Sequence, residues 1–149
     1  MVWDHASPLT PFSCTCKSGR QETFDWRVEG GFDSTTPVWF YYVRPSGSQL
    51  SEDQEYSANF IEISPALLQR DWANNALPDE YQGCGITRTL ISKVAAHRNA
   101  RIRSSRNGPG ETRSEAATAV WRRMVNEGVA YHDPIEDRFF YPASSQGAA

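Results

Sequence analysis

The sequence lacks a long hydrophobic run, and no stretch of its 149 residues approaches the roughly 20 apolar residues that span a bilayer. The first ten residues, MVWDHASPLT, also lack the basic start and the apolar stretch of a secretory signal peptide. Neither an internal repeat nor a linker divides the chain, whose length suits one compact domain. We therefore expect no membrane association and, by default, a cytoplasmic location.

Cysteine is scarce and odd in number, since the chain has only Cys14, Cys16 and Cys84. An odd number at uneven spacing is a poor disulfide framework, so we expect three reduced, unbridged thiols. The alternative is a metal site on Cys14, Cys16 and the nearby His5. That site would need at least one more ligand at a plausible spacing.

Acidic residues are almost absent from one segment. Between residues 85 and 123, nine basic residues are opposed only by Glu111 and Glu115, so this segment carries +7 while the remainder carries −10. Such asymmetry favours an anionic partner, which is either a nucleotide-like cofactor or a nucleic acid.

Apolar and polar residues alternate in several segments, which is typical of strands. The predicted strands cover residues 24–30, 38–44, 57–64 and 100–105. The predicted helices cover residues 65–74, 86–97 and 114–128, and residues 129–142 resemble a closing hairpin. Pro65 suits a first helical turn and Ser114 is a good N-cap. This element order predicts an α+β fold with helices flanking a mostly antiparallel central sheet.

The composition also predicts how the chain is divided. Residues 1–20 are rich in Ser, Thr, Pro and Cys without a clear period, which indicates a loosely structured N-terminal arm. Residues 21–142 then form a single domain, and residues 143–149, ASSQGAA, form a flexible tail.

The segment YQGCGITRTL, residues 81–90, is the strongest indication of function. Gly83 and Gly85 flank Cys84 just before a predicted helix, and closely spaced glycines there leave backbone N–H groups approachable. Together with the positive end of the helix dipole, these groups form a cradle for phosphate. No Gly-Lys-Ser/Thr ending is present, so a nucleoside triphosphate loop is not indicated.

This turn resembles the R/Q-x-x-G-x-G/A motif of the GCN5-related N-acetyltransferases, with Gln82, Gly85 and Thr87 at its defined positions. Thr87 stands where the family prefers Gly or Ala. The later helix, SEAATAVWRRMVNEG, is similar to a second family pattern that often carries Asn, Ala, Tyr and Gly. In this chain those places hold Ser114, Ala117, Trp121 and Gly128.

The resemblance implies an acyl-CoA cofactor, with acetyl-CoA preferred, and an amine acceptor on a small molecule or a protein. Backbone amides of the turn would bind the pyrophosphate, and a strand would pair with the pantetheine arm. The cofactor-binding residues implied are Ile61, Ile63, Gln82, Gly83, Cys84, Gly85, Ile86, Thr87 and Arg88. The amine would attack the thioester carbonyl directly, with a base to accept its proton.

Glu62 is the preferred candidate for the base. It lies mid-strand, so its side chain points to the face opposite Ile61 and Ile63, where its pKa would be raised. Tyr131 and His132, which follow the last helix, are the secondary candidates. Trp121 occupies the place of the family's general-acid Tyr, and an indole cannot donate that proton, so any acid catalysis would come from elsewhere or from water. Cys84, at a helix N-terminus, is a weaker candidate for a nucleophile.

Two other hypotheses about function stay open. The last helix and hairpin could be a recognition helix and wing, with Arg113, Arg122 and Arg123 contacting nucleic-acid phosphates. Alternatively, the chain could have an acyltransferase fold that has lost catalysis and acts as a protein-binding effector or inhibitor.

Overall fold

The computed structural model describes residues 2–4 and 11–144, with only the backbone described for residues 2–4. Within these residues the chain forms nine strands, two α-helices and two 3₁₀ helices at Glu52–Gln54 and Asp79–Tyr81. The strands are β1 (Val2–Asp4), β2 (Phe12–Thr15), β3 (Gln21–Asp33), β4 (Thr36–Pro45), β5 (Tyr56–Ser64), β6 (Leu67–Asn75), β7 (Arg101–Arg103), β8 (Tyr131–Asp133) and β9 (Arg138–Tyr141). The helices are α1 (Ile86–Arg98) and α2 (Glu115–Asn126). The predicted α+β class is therefore confirmed.

The sheet is mixed. Its strands follow the order β1-β3-β4-β5-β6-β7-β9-β8, with β2 also beside β3. β6 and β7 pair in parallel, with Leu67 opposite Arg101 and Gln69 opposite Arg103. The pairings of β3 with β1, β2 and β4, of β4 with β5, and of β9 with β7 and β8 are antiparallel. Helix α1 connects the two parallel strands, as such a connection requires a crossover.

The chain divides into two compact units. The first unit contains residues 1–61 and 72–86, and the second contains residues 62–71 and 87–149. In the part of the chain that the structure describes, no helix is long and apolar enough to cross a membrane.

The long hairpin of β3 and β4 organises the first unit. Alternate residues of these strands are buried, including Phe24, Val28, Tyr41 and Val43. Gly30 lies opposite Trp39, and a Cβ atom on Gly30 would come within 2.6 Å of the Trp39 ring. This position must therefore be glycine for the ring to lie flat across the sheet.

The two helices supply much of the core of the second unit. Ser114 caps α2 by accepting a hydrogen bond from Ala117 N at 3.0 Å, as the sequence predicts. On the apolar face of α2, Trp121 and Met124 are fully buried. Helix α1 buries Leu90, Ile91 and Val94.

The predicted helix at residues 65–74 is wrong, because this segment forms the strand β6. Pro65 and Ala66 are the two residues between β5 and β6, and Ala66 has a φ of 70°. Proline at the second position of a turn, followed by a residue with positive φ, is the pattern of a type II turn. Proline suits a helix start and a turn equally, and the tertiary pairing decides between them.

The N-terminal arm is more ordered than its composition predicts. β2 pairs with β3, and Phe12 and Cys14 are buried while Ser13 and Thr15 are exposed. The expected loose structure is therefore wrong for these residues. Most of the predicted tail, residues 145–149, lies outside the described residues.

Candidate functional site

Cys16 and Cys84 form a disulfide, so the expectation of three reduced thiols is wrong. The loop between β2 and β3 carries Cys16, and the glycine turn carries Cys84. Cys14 is the remaining thiol and is buried. Because its sulfur is bonded, Cys84 offers no free thiolate, and the nucleophile hypothesis fails on this structure. The described residues contain no group of three His, Cys, Asp or Glu side chains placed to hold a metal, and His5 lies outside them.

The glycine turn lies directly before α1, as predicted. Gly83 and Gly85 have φ values of 72° and 68°, which side chains other than glycine rarely adopt. Both glycines are exposed, whereas Cys84 between them is only 2% exposed. Space around Gly85 is open, since a Cβ atom there would meet no atom within 4 Å. The turn therefore presents its backbone outward and its cysteine inward.

The start of α1 has no acidic side chain to compensate the partial positive charge of its helix dipole. The helix begins at Ile86, and its first turn contains no acidic residue. An acidic side chain in that position would neutralise the partial positive charge of the helix dipole. Ile86 is only 3% exposed and Thr87 is half-buried, so the exposed part of this region is the glycine turn before the helix, and the uncompensated dipole favours an anion there.

Lys17 is a member of this site that sequence reasoning missed. Its aliphatic chain covers Gly83 so closely that a Cβ atom on Gly83 would lie 2.8 Å from Lys17 Cδ. The residue is exposed, and no ion pair with a described carboxylate holds its ammonium. Its neighbour Cys16 brings it to the turn, so predicting the Cys16–Cys84 bond would have identified it.

Two other predicted cofactor residues are engaged with the protein itself. Gln82 Nε2 donates to Leu77 O at 2.8 Å, which closes the loop after β6. Arg88 forms an ion pair with Glu127, with Nη2 lying 2.5 Å from Oε1. Thr87 is half-buried. Gly83, Cys84 and Gly85 are therefore the predicted residues that the structure brings together with Lys17.

The predicted residues on β5 lie near the end of the strand. Ile61 and Glu62 are half-buried, and Ile63 is 42% exposed. In the described part of the chain, the Glu62 side chain forms no ion pair. Tyr131 is 49% exposed at the start of β8, opposite Phe140. No hydrogen bond between Glu62 and Tyr131 occurs among the described residues.

Trp121 belongs to the core. It is 1% exposed, and its ring stacks on Phe139 with the centroids 5.9 Å apart. The resembled family often has a tyrosine at this position. Here the Trp121 side chain is packed in the core, and its indole could not donate the proton in any case.

Asp137 joins Arg113 and His132. Arg113 Nη2 donates to Asp137 Oδ1 at 3.0 Å, and His132 Nε2 lies 3.1 Å from the same oxygen. These hydrogen bonds, led by the one from His132, lower the pKa of Asp137 to about 2. Arg113 is buried and also donates to Ser105 O, so it does not present a charge to nucleic-acid phosphates. Arg122 and Arg123 are exposed on α2.

Glu55 is the centre of a closed ion cluster in the first unit. Its carboxylate accepts from Arg27 at 2.5 and 2.6 Å and from Arg44 Nε at 2.8 Å. Glu55 is 2% exposed, and Glu52 lies 3.9 Å from Arg27. Two arginines thus face two carboxylates, which indicates a structural role.

No known protein family, no curated protein and no solved structure matches this chain.

Proposed function

We propose that this protein is an acyl-CoA-dependent N-acyltransferase that uses acetyl-CoA and acylates an amine on a small molecule or a protein. The observation that carries the proposal is the exposed turn at the start of α1, where Lys17 lies across Gly83. The two exposed glycines, the start of α1 and the Lys17 side chain are therefore neighbours in this region. This combination suits the pyrophosphate of a CoA thioester.

The order of elements around the turn also supports the proposal. The turn follows β6 in the chain and precedes α1, which leads into β7, the parallel partner of β6. In sheets with parallel strands, ligands characteristically bind beyond the carboxyl ends of those strands. The resemblance to the GCN5-related N-acetyltransferases adds the cofactor's identity. The implied pairing of Ile61 and Ile63 with its pantetheine arm is not part of this proposal, because β5 lies between β4 and β6 in the sheet and Ile61 is registered with Val38.

The chain's own residues would then handle the proton of the acceptor. Bound acyl-CoA supplies an activated thioester carbonyl. Glu62 is the preferred candidate to accept the proton that the attacking amine loses, and Tyr131 is the second candidate; the departing thiolate can take its proton from water. Neither Trp121 nor Cys84 takes part, since one is buried in the core and the other is bonded to Cys16.

The cytoplasmic location stays a prediction, and the disulfide bears on it. Disulfides persist in oxidising surroundings and are rare in the reducing cytosol of mesophiles. We propose that the Cys16–Cys84 bond forms where the surroundings of the protein are oxidising. The cofactor test should therefore be run both with and without reductant.

Thermal melting with acetyl-CoA tests the proposal through a substitution at Gly85. Ligand at a hundredfold excess over its dissociation constant should stabilise the native protein by about 2.7 kcal/mol. Gly85→Asp places a carboxylate at the cradle and should abolish this stabilisation. Gly47→Asp is the matched control, because Gly47 is also exposed, has a φ of 73° and has no atom within 4 Å of its Cβ position.

Three results are informative. An acetyl-CoA shift in the native protein and Gly47→Asp, but not in Gly85→Asp, supports the cradle. No shift at millimolar acetyl-CoA contradicts the acyltransferase proposal. A shift that persists in Gly85→Asp places the cofactor elsewhere.

A catalytically silent, cofactor-binding effector is the second candidate. The burial of Trp121 favours it, because the family's proton-donating side chain has no counterpart at that position. Thermal stabilisation by acetyl-CoA without thioester consumption across a panel of amines would support this candidate over an active enzyme.

A further inference from the structure

A second polar cluster, in the second unit, surrounds Glu111. Its Oε1 accepts from Gln69 Nε2 at 2.9 Å and from Arg138 Nη1 at 3.0 Å, while its Oε2 accepts from Arg138 Nη2 at 2.8 Å. The hydrogen bond from Arg138 lowers the pKa of the Glu111 carboxyl. Arg138 thus makes two of these three hydrogen bonds and is the main partner of Glu111.

Arg103 also belongs to this cluster, but its hydrogen-bonding partner is an amide and not a carboxylate. Its Nε donates to Gln69 Oε1 at 2.8 Å, and the same oxygen accepts from Arg138 Nη1 at 3.1 Å. One neutral oxygen thus lies between two guanidinium groups. Among the described residues, the two terminal nitrogens of Arg103 make no hydrogen bond.

Arg106 is also incompletely paired. Its Nε lies 3.4 Å from Glu111 Oε2 but forms no hydrogen bond there, and this nitrogen is buried. Its Nη1 lies 3.3 Å from Glu136, whose side chain is more than half exposed. The cluster therefore has three arginines and two carboxylates, and one of these carboxylates lies at the solvent boundary.

The surplus charge has an energetic consequence at Arg103. Burial lowers the pKa of the Arg103 guanidinium, and the positive charge of Arg138 lowers it further. A bound anion would offset both effects, because it would replace lost hydration and oppose the repulsion.

The cluster lies where a ligand can reach it. Gln69 and Arg103 are the last registered pair of the parallel strands β6 and β7, so the cluster begins at the carboxyl end of β7. Beyond the carboxyl ends of parallel strands is a characteristic place for ligands. Arg103 is half-buried, and the Arg106 side chain is 37% exposed, so both can meet a molecule from solvent.

We propose that Arg103 and Arg106 bind an oxyanion, a carboxylate or phosphate group of a small-molecule ligand, with Arg138 held behind them by Glu111. The planar guanidinium fork matches both kinds of oxyanion, since each can accept two parallel N–H bonds. This site is independent of the acyl-CoA proposal, because no residue of the glycine turn belongs to it.

Nuclear magnetic resonance of the arginine Nε–Hε groups tests the site. The full chain, labelled with ¹⁵N, would be titrated with inorganic phosphate and separately with succinate, while chloride keeps the ionic strength constant. We expect the Arg103 and Arg106 signals to shift and saturate at millimolar ligand. Saturation with only one of the two identifies phosphate or carboxylate as the group recognised.

Arg103→Gln should raise the dissociation constant at least about tenfold, since it removes a charge-assisted pair while its amide can still donate to Gln69. Arg122→Gln is the matched control, because it removes the same charge from an exposed position on α2. Shifts that stay linear with both anions would overturn the proposal, and so would unchanged affinity in Arg103→Gln. Should that variant fail to fold, the Arg103 signal of the native chain decides alone.

Discussion

Glu55 in the first unit and Glu111 in the second each bind arginines in a polar cluster, but the two clusters differ in how completely their charges are paired. At Glu55 the carboxylate is 2% exposed and accepts hydrogen bonds from both Arg27 and Arg44, while the exposed Glu52 lies 3.9 Å from Arg27. At Glu111 the side chain is 22% exposed, and Arg103 has no carboxylate partner. Both arginines of the first cluster bond directly to one buried carboxylate, whereas Arg103 in the second cluster bonds to none.

The difference separates structural from functional charge. A buried charge must be paired and hydrogen-bonded, because removing it from water costs several kcal/mol. The Glu55 cluster meets this requirement, so it needs nothing else. In the Glu111 cluster, Arg103 is only half-buried and has no carboxylate partner, so an anion from solvent can take that place, and this is the physical basis for proposing a ligand at Arg103 and Arg106.

Removing each carboxylate should produce the largest effect. Glu55→Gln leaves two largely buried arginines without their counter-charge, and we expect a loss of about 3–5 kcal/mol in the free energy of unfolding. Glu111→Gln should cost less, because its carboxylate is partly exposed. In urea unfolding, phosphate should recover part of the loss in Glu111→Gln and none in Glu55→Gln. Equal recovery in both variants would show a general salt effect and remove the distinction.

The disulfide also stabilises the first unit, and its removal should cause the next largest loss in the free energy of unfolding. A cross-link between residues 68 apart stabilises by about 4 kcal/mol in the chain-entropy model. A thiol reductant should therefore lower the melting temperature of the native protein to that of Cys16→Ser. Reductant should leave Cys16→Ser unchanged, and Cys14→Ser, which keeps the disulfide, should respond like the native protein. Insensitivity of the native protein to reductant would contradict the bond.

The smallest expected effect concerns Asp137 in the second unit, whose carboxylate is hydrogen-bonded to Arg113 and His132. Its folded pKa of about 2 lies below the ordinary value of 3.8, so its contribution to stability is present above about pH 4. This contribution is lost as the pH falls from about 4 towards 2. Asp137→Asn should therefore be less stable than the native protein at pH 7, and the difference should shrink at pH 2.5.

Asp133→Asn is the control for this measurement. The Asp133 carboxylate accepts from Ile135 N and Glu136 N, and an asparagine oxygen can accept the same bonds. At pH 7 its stability difference from the native protein should therefore be smaller than that of Asp137→Asn. A difference for Asp137→Asn that is constant from pH 7 to 2.5 would argue against the hydrogen bonds of Asp137 with His132 and Arg113.

Much of the fold could be predicted from local pattern. Alternation predicts β3, β4 and β5, and the apolar face and the Ser114 cap predict α2, because these signals arise from neighbouring residues. β6 could not be predicted in this way, since Pro65 suits both a helix start and a turn. The choice depends on the parallel pairing of Gln69 with Arg103, which are far apart in sequence.

The candidate sites show the same limit. Gly83 and Gly85 are visible in the sequence, because a turn before a helix has a short-range pattern. Lys17 is not, since its approach depends on the bond between Cys16 and Cys84, and three cysteines permit several pairings. Arg103 and Arg106 are visible as charges, but only the folded chain shows that Glu111 pairs mainly with Arg138.

A site-resolved titration with acetyl-CoA tests the central claim most directly. In spectra of the ¹⁵N-labelled oxidised protein, the backbone amides of Gly83, Gly85, Ile86 and Thr87 should shift most and saturate together. The same titration of Gly85→Asp should leave them unmoved, while Gly47→Asp should behave like the native protein. Saturable shifts that leave the turn unaffected, or no saturable shifts at millimolar acetyl-CoA, would contradict the proposal that this turn holds the cofactor.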